Sequence, residues 1–291
     1  MRYEGTIYRP PSEAKSLIIQ ATVGCSHNAC SFCVMYKDKK YRARPVEEVL
    51  ADIRELSLLY PEARRVFLAD GNALTMDTEA LEIILDELNL RFPRLERVGI
   101  YACPHDILSK TDAELRRLVE KGLGIVYLGV ESGSDEVLKY VRKGATAEDM
   151  VRAGRKAIEA GLVLSVTIIL GLGGRDRTYE HALQTAEVIN KIDPHYLACL
   201  TLYIDPRAPL ARRIQKGEFI PLTPYESLDE MRRIVSSLEV SSCVFRSNHA
   251  SNYLPIKGTL PRDKETILKT IDSVLERKNP QDLRPEWWRS L

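Results

Sequence analysis

Through about Tyr203, apolar runs rich in β-branched residues alternate with amphipathic helical ones, and that alternation limits the fold more than any other feature. The strand-like runs are Leu17–Val23, Arg65–Ala69, Arg97–Ala102, Ile125–Val130, Leu162–Leu170 and His195–Tyr203. Helical periodicity covers Pro45–Tyr60, Asp77–Phe92, Thr111–Lys121, Asp135–Val141, Ala147–Ala160 and Tyr179–Lys191. Six strand–helix units of this kind imply α/β architecture, a parallel sheet with right-handed crossovers. Six are too few to close an eight-stranded barrel, so the sequence predicts a partial (β/α)6 TIM-type barrel with its mouth at the carboxyl ends of the strands. The alternation is lost after Pro206. There the segments 228–238 and 264–276 read as helices flanking an irregular stretch, 241–260. The expected organisation is a core over 1–205 and a carboxyl-terminal helical and irregular cap over 206–291, packed on it as one structural unit.

Composition supports that reading and excludes others. The 291 residues are 44% apolar, enough for one sizeable core, and a net charge of +1 provides no global field for nucleic acid. Met1 leads into a polar segment without an apolar signal core, and no run of about 18 apolar residues exists to span a membrane. The expectation is a cytoplasmic protein, free of membrane and nucleic acid, whose thiols are reduced.

Against that background, Cys25, Cys30 and Cys33 in GCSHNACSFC stand directly after the first strand. Three thiolates suffice to hold an iron–sulfur cubane and leave one iron open to a small molecule, which implies catalysis. Zinc stays open as an alternative, with His27 as fourth ligand of a zinc- or cluster-stabilised, noncatalytic binding protein. A conventional enzyme using Cys103 as nucleophile beside His105 is a second alternative.

The pattern CxxxxCxxC followed by YKDKKYRARPVEEVLADI resembles the cluster loop and first helix of the radical S-adenosylmethionine (radical SAM) superfamily. The family pattern is CxxxCxxC with an aromatic before the last cysteine. Phe32 fills the aromatic place, and a flexible loop absorbs the one extra residue at little closure cost. The resemblance implies a [4Fe–4S] cluster and S-adenosyl-L-methionine. Asp70-Gly71-Asn72-Ala73-Leu74 lies where the family carries a turn for the amino group of S-adenosylmethionine. Its form resembles a subgroup that includes methylthiotransferases, Elongator subunit 3 and YgiQ-like proteins. Gly71 permits a tight turn there, and Asp70 and exposed carbonyls accept bonds from an ammonium, although Asp-Gly after a strand is in itself a plain turn signal. The segment Gly129–Gly144, GVESGSDEVLKYVRKG, resembles the ESGS segment of the same subgroup. It implies that Glu131 takes the ribose diol, with Ser132 or Ser134 either contacting ligand or capping the next helix. Lys143 is the positional match for a basic residue on the methionyl carboxylate, while Arg142 and Lys143 also suit a helix end. Ile168 through Gly174 resembles the segment whose backbone lines the adenine, with Ile168 and Gly171 as contacts.

The chemistry so implied is reductive cleavage of S-adenosylmethionine to a 5′-deoxyadenosyl radical that abstracts hydrogen from a substrate. It calls for a closed cavity, a low-potential donor of ferredoxin or flavodoxin type, and protection from oxygen. The domains that accompany the barrel in methylthiotransferases and in Elongator subunit 3 find no room here, so the expected substrate is a small molecule. The polar stretch 244–257 supplies candidates for binding it: Arg246, Asn248, His249, Asn252 and Lys257, the two cations suggesting a carboxylate or phosphate. An ordered turn bonded to its own backbone is the other reading of that stretch. Cys103 follows the third strand, where it would face the reaction cavity and relay or quench a radical, whereas Cys199 and Cys243 read as small core residues. Lys37, Lys39, Lys40, Arg42 and Arg44 read as a solvated rim.

Overall fold

The computed structural model describes residues 2–290. The chain runs β1 (Leu17–Gln20), β2 (Thr22–Val23), β3 (Arg42–Ala43), α1 (Val46–Leu59), β4 (Arg65–Ala69), α2 (Thr78–Arg91), β5 (Arg97–Ala102), α3 (Pro104–Leu108) and α4 (Asp112–Glu120). It continues through β6 (Leu123–Glu131), α5 (Asp135–Tyr140), α6 (Ala147–Glu159), β7 (Val163–Leu170), α7 (Thr178–Ile192), β8 (Tyr196–Thr201), α8 (Pro209–Gln215), α9 (Pro224–Ser237), β9 (Cys243–Arg246), β10 (Lys257–Leu260) and α10 (Lys264–Arg277).

The sheet has eight strands in the order β1-β4-β5-β6-β7-β8-β9-β10. β1 pairs parallel with β4 (Leu17 opposite Val66), β4 with β5, β5 with β6, β7 with β8 and β8 with β9. β10 runs antiparallel to β9, Leu260 opposite Cys243. β4 shows why these runs become interior strands: Val66 through Ala69 are all fully buried, as a parallel strand covered on both faces requires. The mostly parallel α/β sheet is the partial-barrel architecture that the alternation predicts. Local chemistry starts the helices between strands. Thr111 and Glu114 form a reciprocal capping box on α4, Thr223 and Glu226 form another on α9, and the Ser134 hydroxyl accepts from Val137 N at the start of α5.

Several elements differ from expectation. The run Leu17–Val23 breaks at Ala21: β2 leaves the sheet to pair antiparallel with β3, Thr22 opposite Ala43, so the cysteine loop springs from a small hairpin. The stretch 241–260 is not irregular throughout, because four-residue β9 extends the sheet and β10 folds back on it. Alternation over four residues is too short to register as a strand. The short helices α3 and α8 each begin at a proline, which fits the first helical turn yet reads in sequence as a break.

Residue contacts group the chain into two compact units. The first comprises the chain through Asn28, Met35–Leu128 and Ala153–Leu164; the second comprises Ala29–Val34, Gly129–Arg152 and the chain from Ser165. A core cluster of the first is Phe67, Ala69, Ile125 and Tyr127, with Phe67 and Tyr101 edge to face at 5.0 Å. A core cluster of the second is Val137, Val141, Ile169 and Leu172, against which Phe32 packs. Among the described residues no helix is long and apolar enough to cross a membrane.

Candidate cofactor site

In the first unit, Cys25 follows the β2 hairpin and is half-buried. The β4 carboxyl end meets the loop there. Asp70 is fully buried: its Oδ2 accepts from Gly24 N (3.2 Å), Gln20 Nε2 (3.4 Å) and Lys39 Nζ (2.6 Å). Its Oδ1 is buried and makes no hydrogen bond among the described residues. The buried Tyr36 phenol stands near enough that, after desolvation, the Asp70 charge further raises its pKa. Gly71 has no left-handed conformation to excuse it. A Cβ there would stand 2.5 Å from Gly24 O and 2.7 Å from Cys25 Cα, so close approach is what requires glycine. Asn72, also fully buried, accepts from Ser26 N (2.9 Å) and donates to Ser26 Oγ (2.7 Å) and Asp106 Oδ2 (2.8 Å). Asp106 Oδ2 in turn accepts from Cys103 N at 2.7 Å. Burial raises the Asp106 pKa, opposed by those bonds. Cys103 is half-buried at the amino-terminal end of α3, and His105 is exposed on the same helix.

The basic run is not uniformly solvated. Lys39 forms a buried ion pair with Asp70, and Arg44, 2% exposed, pairs with Asp52 at 2.7 Å and bonds Gln20 O at 2.8 Å. Lys39 meets an acid 31 positions away, which a local charge pattern does not reveal, whereas the acids of Arg44, Glu48 and Asp52, lie on the helix that follows it. Lys37, Lys40 and Arg42 are exposed as expected.

In the second unit, the Cys30-Ser31-Phe32-Cys33 turn is fixed through its middle: Ser31 N donates to Val141 O (2.8 Å), Leu210 N donates to Ser31 O (2.9 Å), and the Phe32 ring packs at the α5 end. Glu131 ends β6 in the left-handed region, φ 64°, a conformation that costs a non-glycine residue about 1 kcal/mol or more. Its carboxylate folds back over Gly129, where a Cβ would lie 2.1 Å from Oε1, and accepts from Lys143 Nζ at 3.0 Å. The two residues assigned to ribose and carboxylate thus pair with each other. Ser132 is fully buried, its hydroxyl bonded to His181 Nδ1 (2.8 Å) and accepting from Ser134 N (3.0 Å), while Ser134 caps α5. His181 Nε2 lies 3.1 Å from Ile169 O, which can only accept, so Nε2 carries the proton. Glu230, buried with its pKa raised by desolvation, accepts from Gly171 N at 2.6 Å and from the Thr178 hydroxyl. Ile168 is fully buried, and Gly171 adopts φ 78° at the β7 end.

Arg246, Asn248 and Lys257 are exposed, His249 is half-buried, and Asn252 is fully buried. Asn252 accepts from the Thr201 hydroxyl (2.9 Å) and donates to Cys199 O (2.8 Å), tying the loop to β8. Arg284 Nη1 donates to the carbonyls of His249, Ala250 and Asn252 at 2.8–2.9 Å. Burial and the Arg284 charge lower the His249 pKa, which favours its neutral ring. Cys199 and Cys243 are buried, their thiol pKa values raised by desolvation, that of Cys243 to about 12. Sequence reasoning missed Lys39, Asp106, His181 and Glu230. The three-residue spacing of Cys103 and Asp106 is a cap signal; the other three carry none locally.

The family model of the Radical SAM superfamily matches residues 19–189, more than half of the chain. The chain belongs to the radical SAM superfamily. Its relatives include the heme chaperone HemW of Bacillus subtilis, 24% identical over 226 residues, covering 73% of this chain and 57% of the relative. A tRNA-2-methylthio-N(6)-dimethylallyladenosine synthase of Halorhodospira halophila is 30% identical over 176 residues, 57% of this chain and 36% of the synthase. The chain therefore spans little more than half the length of these curated relatives, or less. Among solved structures, coproporphyrinogen III oxidase (HemN) of Escherichia coli aligns with TM-score 0.58 at 18% identity, covering 76% of this chain and 51% of the oxidase. The methyltransferase TsrM of Kitasatospora setae, solved with cobalamin and a [4Fe–4S] cluster, aligns with TM-score 0.57 at 22% identity, covering 69% and 39%. These likenesses establish the fold.

The superfamily's cofactors are a [4Fe–4S] cluster and S-adenosylmethionine, and the residues present fit them. None of the six cysteines is in a disulfide, and Cys25, Cys30 and Cys33 are half-buried where Cys199 and Cys243 are buried and desolvated. The unsatisfied Asp70 Oδ1 is an acceptor of the kind an ammonium needs. Among the described residues, no three Cys, His, Asp or Glu side chains are already gathered into a metal cage.

Proposed function

We propose that the chain is a radical SAM enzyme acting on a small molecule, with Cys25, Cys30 and Cys33 as the cluster ligands. The observation that carries the reading is the superfamily match over residues 19–189, which takes in the cysteine loop and the β4, β6 and β7 ends. When bound, the cluster supplies the electron that cleaves S-adenosylmethionine and yields the 5′-deoxyadenosyl radical. The protein's residues bind and orient. Asp70, whose Oδ2 is paired with Lys39, offers Oδ1 to the cofactor's ammonium. Glu131 and Lys143 satisfy each other at 3.0 Å until ribose hydroxyls and a carboxylate replace that pairing. The β7 end, held by Glu230 at Gly171 N and by His181 at Ile169 O, offers backbone to the adenine. Cys103 is the candidate for a thiol at the reacting centre, and Arg246, Asn248, His249, Asn252 and Lys257 for the substrate side. Asn252 acts there by holding the loop, since its amide is spent on Thr201 and Cys199. Reduction would come from a ferredoxin- or flavodoxin-type donor.

The test is anaerobic reconstitution with iron and sulfide, reduction with dithionite, addition of S-adenosylmethionine, and detection of 5′-deoxyadenosine by mass spectrometry. The product is expected from the unaltered chain and absent from Cys30→Ala. A colourless protein that retains zinc in place of iron and ignores S-adenosylmethionine would overturn the reading.

A further inference from the structure

We infer that the Asp70-Gly71-Asn72 turn is a backbone clamp on Cys25, making Asp70 and Asn72 positioning residues for the first cluster ligand. The inference rests on Cys25 being such a ligand. Cys25 belongs to no helix or strand, so no ladder fixes the direction of its side chain. Instead, the amides on either side of it are both held by one turn. Gly24 N donates to Asp70 Oδ2 at 3.2 Å, and Ser26 N donates to Asn72 Oδ1 at 2.9 Å. Between these two bonds, the missing side chain of Gly71 lets Cys25 Cα come to 2.7 Å from where a Cβ would stand.

Each jaw is itself anchored. Asp70 is tied to Lys39 at 2.6 Å. Asn72 donates both amide hydrogens, to Ser26 Oγ at 2.7 Å and to Asp106 Oδ2 at 2.8 Å. Ser26 N can only donate and the bonded carboxylate oxygen accepts, so the network fixes which way the Asn72 amide faces. With both hydrogens spent, Asn72 has no donor left for a ligand; what it can do is hold Cys25. The three residue types of the turn then each have a distinct cause: two acceptors of matched reach, and between them the one residue without a Cβ.

Two variants, Gly71→Ala and Asn72→Ala, test this with two readouts. In the reduced, metal-free protein, alkylation of each cysteine by iodoacetamide is followed by peptide mass spectrometry. Loss of one such bond is expected to speed Cys25 labelling about tenfold. Cys30 and Cys33 should be unchanged, because Ser31 between them is held by Val141 and Leu210. After anaerobic reconstitution, both variants should lose iron to a chelator faster than the unaltered chain. Equal acceleration at all three cysteines marks general loosening and overturns the clamp, as does unchanged Cys25 labelling or unchanged iron loss in both variants. Should Gly71→Ala fail to fold, Asn72→Ala decides, since it adds no atoms. If the Cys25-specific labelling appears but the unaltered chain retains no iron, the clamp stands and the proposed cluster function falls.

Discussion

Lys39 carries its charge into a place where few lysines survive: its side chain is 6% exposed, and its Asp70 partner is fully buried. Removing one member of such a pair leaves a charge in a low dielectric with nothing to compensate it, whereas removing both costs far less. Lys39→Met is therefore expected to destabilise the metal-free protein by about 3 kcal/mol in urea denaturation. Lys39→Met combined with Asp70→Asn should regain most of that loss. A double variant no more stable than the single one would show that Lys39 holds the fold by its contact with Thr6 O and by packing, not by pairing Asp70. At this scale the sequence named Asp70, Gly71, Asn72, Glu131 and the three cysteines, since each sits at a strand end or in a spaced motif. It did not reveal who meets whom. Lys39 lies 31 positions from Asp70, and Asn72 lies 46 from Ser26 and 34 from Asp106, distances along the chain at which no local pattern operates. That Glu131 and Lys143, 12 apart, pair with each other was hidden for the same reason.

Helix α4 is an element capped by one half-buried carboxylate. Glu114 accepts from Thr111 N at 2.6 Å and from the hydroxyls of Thr111 and Thr78, and these bonds lower its pKa from 4.5 to about 2. A depressed carboxylate contributes stability that is present above its unfolded value and is lost as pH falls through its folded one. The contribution is thus present above pH 4.5 and disappears between 4.5 and about 2. Glu114→Gln should lower the melting temperature of the metal-free protein at pH 6 and flatten its fall across that acid window. If wild type and variant lose stability in parallel, other carboxylates govern the acid limb. The cap box itself, Thr-x-x-Glu before an apolar-periodic run, is legible in sequence, as are the long helices and the six strands of the alternation, several to within a residue or two. Legibility fails where elements are short. β9, β10, α3 and α8 have four to seven residues each, too few for a period to show, and their existence is decided by the neighbours they pair with or by a proline at the first turn.

For the whole molecule, a cofactor that binds only the folded chain must raise its stability by mass action, whatever the substrate proves to be. The gain is RT ln(1 + [L]/Kd), or about 2.7 kcal/mol when S-adenosylmethionine is a hundredfold above its dissociation constant. An unfolding entropy of about 2.1 cal/mol/K per residue makes that a rise of about 4 °C in melting temperature for a chain of 291 residues. The rise should survive in 0.5 M salt, because a net charge of +1 contributes no long-range field to be screened and the acceptors at issue, Asp70 above all, are buried. It should be largest in the cluster-loaded protein and much reduced by Glu131→Ala, which removes the carboxylate assigned to the ribose but leaves the Asp70 turn intact. Differential scanning fluorimetry under nitrogen, with and without reconstituted cluster, measures all of this without turnover. A cofactor shift that is the same with and without the cluster, or that Glu131→Ala leaves untouched, would place S-adenosylmethionine elsewhere on the molecule.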